Sequence, residues 1–375
     1  SHVSPPVLMN TLEKAMAYAP PFIYSKVTGI ESPTGVKAEG WLISVGGTPK
    51  EIMRHDPEFT YRRLLDAAAM AKKLGAQIMG LGAFTKVVGD AGATVAKRAP
   101  LPITTGNSYS ASGALWAAHD ALLRMNLLPK PKGKGRVKFK AMVVGATGAI
   151  GSVCARLLAR AAEEVYMVSP ETAKLLALKE SILLESPDAK LFLSAHADKD
   201  IGDMDMVVTA TSGAGKKVLD IMKVKPGCVI TDVARPLDLP PSEVAKRPDV
   251  LVIESGEIQL PGDVQMKNIG LPKGVAYACL AETIVLALEG RFENFTVGRA
   301  IEWEKVREIY QLGLKHGMQL AAISGVNGPF SDADIARVRE LALAERARRA
   351  LAEVPAPQPA RKAPARKRKP TGSAA

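Results

Sequence analysis

A chain of 375 residues, 47% apolar and 23% charged, is long enough to bury a sizeable core in two domains. Its three cysteines, Cys154, Cys228 and Cys279, form no C-x-x-C pair and its five histidines no H-x-x-x-H pair. This argues against a disulfide framework and a zinc site, and suggests a reducing, cytoplasmic setting. The net charge is +12, and six cations (Arg361, Lys362, Arg366, Lys367, Arg368 and Lys369) stand in residues 355–375 without an acid, so the rest still carries +6, enough to attract an acidic partner.

Residues 3–24 are proline-rich, with a short helix expected around Thr11–Tyr18. No signal peptide is expected at the start, and no charge-free apolar run is long enough to predict a membrane span. Lys26–Ile30 and Lys37–Val45 predict two strands around the turn Ser32-Pro-Thr-Gly35. Asp56-Pro57 opens a helix that Leu64, Leu65, Ala68 and Ala69 carry to Gly75. Gln77 to Lys86 reads as a strand running into a polar turn. Pro102-Ile-Thr-Thr-Gly-Asn107 precedes a helix from about Ser110 to Asn126. These two Gly, Thr, Asn and Lys clusters suggest a ligand-facing rim; taken singly, each is better read as ordinary turn and N-cap chemistry. Pro129-Lys-Pro-Lys-Gly-Lys-Gly-Arg136 is a composition break and the best linker.

The organising stretch follows. Ala141 to Val144 is a short apolar run stopped by Gly145, as in a central strand of a parallel sheet. Gly145, Gly148 and Gly151 recur every three residues, and Ile150, Val153, Leu157 and Leu158 then keep helical spacing. Such a strand, turn and helix cradle a pyrophosphate: glycines permit the tight turn and close approach, and the helix start offers unpaired N–H groups. Residues Gly145, Ala146, Thr147, Gly148, Ala149, Ile150 and Gly151 are therefore the candidate cofactor loop. The bland alternative is a glycine turn that only joins strand to helix.

Beyond it the rhythm continues. Strands are expected at Glu164–Ser169, Lys190–Ala195, Met204–Thr211, Cys228–Val233 and Val250–Glu254, with a helix over Glu171–Leu184. Alternation of this kind implies a Rossmann-like, doubly wound parallel sheet of α/β class. Thr211, in the turn Thr209-Ala-Thr-Ser-Gly213, falls where a strand end meets the crevice. An NAD site puts an acid after the second strand. Here the run is Val168-Ser-Pro-Glu171 with Lys174 beyond, so Ser169 and Lys174 lean toward the 2′-phosphate of NADPH, while Glu171 keeps NADH open.

Gly274 to Gly290 predicts a strong helix closed by glycine. Cys279 falls in or near its first turn, where the positive helix end would stabilise a thiolate; a buried structural cysteine is the commoner fate, and suits Cys154 and Cys228. Helices are also expected from Ile301 to His316 and over Ser331–Glu353, with His316 as a helix cap rather than a catalyst. The tail from Pro355 reads as disordered by composition, and its cations suit an acidic surface or nucleic acid.

Together these motifs resemble the long-chain fatty acyl–acyl-carrier-protein reductases best known from cyanobacteria. The resemblance rests on Leu81-Gly-Ala-Phe-Thr85, Thr104-Thr-Gly-Asn107, Val144-Gly-Ala-Thr-Gly-Ala-Ile-Gly-Ser152, Cys228-Val-Ile-Thr-Asp232, Ala276-Tyr-Ala-Cys-Leu-Ala-Glu282, Glu289-Gly290 with Asn294-Phe295, and Lys315-His-Gly317. They keep the family's order over roughly residues 32–320. The resemblance implies an NADPH-dependent reductase that turns a fatty acyl thioester, on an acidic acyl carrier protein or coenzyme A, into a fatty aldehyde for an aldehyde-consuming enzyme. It implies Cys279 as nucleophile. The chemistry obliges no metal or histidine, and Tyr277, Asn107, Thr105 and Lys86 are candidates for positioning only, the first three being better read as structural. Where the family shows an arginine after its second cofactor strand, this chain has Ser169-Pro170.

The expected organisation is an N-terminal substrate and catalytic domain (1–136), a nucleotide-binding domain (137–270), C-terminal helices completing the catalytic domain (271–354) and a basic tail (355–375). Two rival functions fit parts of the pattern. One is a shikimate-dehydrogenase-like enzyme acting on a small hydroxy or amino acid through a Lys–Asp pair. The other is a non-enzymatic nucleotide sensor that binds nucleic acid through its tail.

Overall fold

The computed structural model describes residues 18–46, 55–82, 89–129, 136–212, 216–234, 236–254 and 256–352. The first half contributes β1 (Phe22–Glu31), β2 (Lys37–Ser44), α1 (Pro57–Lys73), β3 (Met79–Gly80), α2 (Ala93–Arg98), β4 (Ile103–Thr104) and α3 (Asn107–Met125). Next come β5 (Val137–Val144), α4 (Ala149–Ala161), β6 (Ala162–Val168), α5 (Thr172–Glu185), β7 (Lys190–Ser194), β8 (Met206–Thr209), β9 (Val229–Asp232) and β10 (Leu251–Glu254). The last part holds β11 (Glu257–Gln259), β12 (Gly262–Gln265), β13 (Val275–Tyr277), α6 (Ala278–Glu289), α7 (Trp303–Lys315), β14 (Gln319–Leu320) and α8 (Asp332–Ala352).

The centre is a six-stranded sheet in the order β10-β9-β8-β5-β6-β7, every pairing parallel. This is the doubly wound α/β sheet that the alternation implies. Its central strands carry short apolar runs (residues 141–144, 206–208 and 251–253) because both faces are covered there. Met142, Val144, Val207, Ile230 and Val252 pack on one side, and Ala141, Val143, Val165, Met167, Met206 and Val208 on the other. The register aligns Val168, Val144, Thr209, Asp232 and Glu254 in one row across the carboxyl ends. Ligands of such sheets bind beyond that row.

A second layer rises beside it. The antiparallel hairpin of β1 and β2 takes β12 as a third strand, and β11 pairs with β13 and β14. Residues 257–265, placed with the nucleotide-binding part on sequence, thus carry strands that pair outside the six-stranded sheet. The helix α3 joins the layers. Its buried residues are mostly small (among them Ser112, Gly113, Ala114, Ala117, Ala118 and Ala121), which lets backbones approach. At Gly113 the approach is closest: a Cβ on Gly256 would come within 2.2 Å of Gly113 O.

Three elements depart from expectation. Helix α3 begins at Asn107 because Gly106 takes a left-handed φ of 72° and turns the chain into the helix. Residues Val275–Tyr277 form a strand, not the first turn of the helix, because their backbone pairs with β11. The loop expected after residue 86 contains α2, capped by Gly92 at φ 85°. The helix expected around Thr11–Tyr18 and the tail fall almost wholly outside the described residues. Among the described residues no helix is long and apolar enough to cross a membrane.

Candidate active site

The glycine turn follows β5. Gly145 has φ +83°, and a Cβ there would meet Ala210 O at 2.7 Å; a Cβ on Gly151 would meet Gly145 O at 2.2 Å. Gly145 N and Ala146 N donate to Val168 O at 2.9 and 3.1 Å, tying the turn to the end of β6. Helix α4 starts at Ala149 with Gly148 as N-cap and no side chain capping it, so the first-turn N–H groups at Ala149 and Ile150 keep their donors for a ligand. Gly145 and Gly151 are required by backbone packing within the turn, and the uncapped first-turn N–H groups fit the phosphates of a dinucleotide.

The side chains around the turn form two groups. On the β6 side, Thr147 Oγ1 lies 2.8 Å from Ser169 Oγ and donates to Glu171 Oε2 at 2.8 Å. Lys174 is paired with Glu171; that pair and the Thr147 hydroxyl hold the Glu171 carboxyl below its usual range. On the β8 side, Thr211 donates its N–H and hydroxyl to Asp238, and its Cγ2 lies beside Gly145. Burial pushes Asp238 up, and pushes Asp232, whose carboxylate accepts from Ala234 N and Leu239 N, to about 6.

Cys279 is the second residue of α6. It is half-buried, whereas Cys154 and Cys228 are fully buried. Burial drives the Cys154 thiol up to about 12 and the Cys228 thiol up as well, as inert core cysteines behave. Against Cys279 lies the N-cap of α3: a Cβ on Gly106 would be 2.4 Å from Cys279 Cα and 2.5 Å from its Cβ. Two helix N-termini, those of α6 and α3, therefore converge on this residue, each offering partial positive charge.

Beneath it Glu282 is fully buried. Its Oε1 accepts from Thr104 Oγ1 and its Oε2 from Tyr109 N at 2.8 Å, so it caps α3 from within the protein. Thr105 Oγ1, Asn107 Oδ1 and Thr283 Oγ1 are buried without a partner. Such polar atoms are costly unless a ligand satisfies them. Thr105 N donates to Thr296 O at 2.8 Å, and three residues on Arg299 carries a charge that helps lower the Glu171 carboxyl. Among the described residues no group of His, Cys, Asp and Glu could hold a metal ion.

No family model matches the chain. It is similar to the aminotransferase PigE of a Serratia species, 30% identical over 294 residues, 73% of this chain and 33% of PigE. It is also similar to the long-chain acyl-[acyl-carrier-protein] reductase of Synechococcus elongatus, 25% identical over 314 residues, 82% of this chain and 89% of the reductase. The chain spans about a third of the length of PigE. Among solved structures, quinate dehydrogenase from Corynebacterium glutamicum in complex with NAD overlaps 63% of this chain and 61% of its own, with a TM-score of 0.29 and 14% identity. Shikimate dehydrogenase from Aquifex aeolicus overlaps 53% and 60%, with a TM-score of 0.29 and 13% identity.

Of the residues singled out on sequence, the structure gathers Thr105, Asn107 and Cys279 at the meeting of α3 and α6. It gathers Thr147, Ser169 and Lys174 at the end of β6, and Thr211 beside Gly145. Tyr277 is 37% exposed at the end of β13, one residue outside α6. Lys86 lies outside the described residues. Gly106, Glu282, Thr283 and Asp238 were not singled out. Glu282 had a signal, since a carboxylate three residues after Cys279 shares its face of the helix; the other three are tertiary contacts without a local pattern.

Proposed function

We propose that the protein reduces a fatty acyl thioester to an aldehyde through an acyl group carried on Cys279. The observation that carries this reading is the seat of Cys279 against Gly106. It brings together a half-buried sulfur, two helix N-termini and the buried, unpartnered Thr105 Oγ1 and Asn107 Oδ1, and the glycine turn of the six-stranded sheet supports the dinucleotide half of the reading. The similarity to the Synechococcus reductase, which spans 89% of that protein, supports the same reading.

In the first step the Cys279 sulfur attacks the thioester carbonyl and the carrier thiol leaves, which divides a hard reduction into two easier steps. The carbonyl oxygen becomes an oxyanion in each. By position, the N–H groups of Asn107 and Ser108 lack an acceptor within α3, and Tyr109 N is held by Glu282. Donors so placed stabilise an oxyanion by on the order of 3 kcal/mol each. The turn from Gly145 to Gly151 would hold a reduced nicotinamide dinucleotide, which would supply the hydride to the acyl carbon; cleavage of the carbon–sulfur bond would then release the aldehyde and return the Cys279 thiolate. Glu282 keeps α3 and α6 in register, so the donors stay aimed at the sulfur. The basic chain suits an acyl group delivered on an acidic acyl carrier protein or on coenzyme A.

The test is anaerobic incubation with a panel of acyl thioesters and each of NADH and NADPH, followed by aldehyde detection. Without dinucleotide, labelled acyl thioester should leave label on Cys279. Label on Cys154, or full turnover by Cys279→Ala, overturns the proposal.

A further inference from the structure

The carboxyl end of β6 carries a group of polar side chains that the thioester chemistry does not use. The argument rests on the dinucleotide reading above, but not on the reduction of a thioester. Strands β5 and β6 are the first two of the doubly wound sheet, and Val144 pairs with Val168 at their ends. The adenosine ribose of a dinucleotide sits at the end of the second strand. In this chain three oxygens meet there: Thr147 Oγ1, Ser169 Oγ and Glu171 Oε2, with Thr147 Oγ1 at 2.8 Å from each of the other two. Glu171 N donates to Ser169 Oγ at 3.2 Å, closing the turn that carries the carboxylate back to the glycine loop. Glu171 stands 20 residues after Gly151, the interval at which an acid commonly meets the ribose 2′-hydroxyl.

We propose that Glu171 sets the choice of dinucleotide: it reserves the ribose 2′ position for a hydroxyl and so favours NADH over NADPH. A carboxylate accepts a hydrogen bond from the ribose hydroxyl and repels a phosphate at the same place. Two cations act on it. Lys174 is paired with Glu171, and the charge of Arg299, which donates to Gly89 O at 2.7 Å, also favours its ionised form. Ser169 and Lys174, the two groups expected on sequence to hold a 2′-phosphate, are already joined to the carboxylate, Ser169 through Thr147. Without the carboxylate charge the same site becomes two hydroxyls and two cations, a set suited to phosphate.

The experiment measures dissociation constants of NADH and NADPH for the full chain by intrinsic fluorescence quenching or calorimetry, with no acyl substrate. The proteins are wild type, Glu171→Gln and Glu171→Ala; Gln keeps the shape and the bond to Thr147 and removes the charge. Wild type should bind NADH at least tenfold more tightly than NADPH, and both variants should narrow that ratio at least tenfold, mainly by binding NADPH better. A wild type that prefers NADPH, or a ratio unmoved in both variants, overturns the inference and leaves the reductase reading standing. Failure of wild type to bind either dinucleotide overturns this inference and the cofactor reading together.

Discussion

Gly106 touches Cys279 so closely that any side chain on it would occupy the cysteine's own backbone, with a Cβ 2.4 Å from both Cys279 Cα and Cys279 O. The contact joins the start of α3 to the start of α6 and fixes the sulfur relative to the N–H groups. Gly106 also has φ +72°, where a Cβ costs about 1–2 kcal/mol. Gly106→Ala should therefore destabilise by about 2–4 kcal/mol, strain and clash combined. Urea unfolding will read the stability. Acyl transfer to Cys279 should fall by more than tenfold while dinucleotide affinity stays close to wild type, since the glycine turn is on another element.

Thiol chemistry separates the three cysteines. Cys154 and Cys228 are 0% exposed and Cys279 is not. A disulfide reagent added to the native protein should modify one thiol promptly and the other two only on unfolding. Cys279→Ser should lose the prompt reaction and keep the slow ones. Prompt reaction of two thiols in wild type would contradict the burial of the β5-side core.

Glu282 should matter as a brace rather than as a reactant. Its two oxygens hold Thr104 Oγ1 and Tyr109 N, and Thr104 Oγ1 in turn accepts from Thr296 N at 3.1 Å. Glu282→Ala strands a buried N–H and a buried hydroxyl, at a cost of about 2–4 kcal/mol. Glu282→Gln keeps one acceptor and should cost less. Denaturant midpoints of the two variants, compared at one pH, measure the difference.

The strand, turn and helix from Lys138 to Ser152 were legible in the sequence because strands buried on both faces write continuous apolar runs, and glycine spacing marks where backbone must approach a phosphate. The site around Cys279 was legible only in part. Asn107 and Thr105 stood out as a polar cluster at a strand end, but the contact of Gly106 with Cys279 joins residues far apart in sequence and leaves no local trace. Val275–Tyr277 was hidden by the helical run that follows it: an apolar triplet before a helix reads as more helix until a partner strand claims its backbone. The burial of Glu282 was not legible, because only the tertiary structure supplies the donors that let a carboxylate be buried.

Asp232 makes the stability of the sheet depend on pH in a direction opposite to that of a paired surface carboxylate. Burial raises its folded pKa from 3.8 to about 6. Below about pH 4 both folded and unfolded chains hold the proton, and Asp232 contributes no slope. Between about pH 4 and 6 the unfolded chain releases the proton while the folded chain keeps it, so stability falls as pH rises; above about pH 6 both are ionised and the loss is constant, at most about 2–3 kcal/mol. Asp232→Asn cannot ionise and lacks this slope. The difference in unfolding free energy between wild type and variant, followed from pH 4 to 7, should shift steadily in favour of the variant and level off near pH 6. Parallel curves across that range would mean that the folded protein keeps Asp232 ionised.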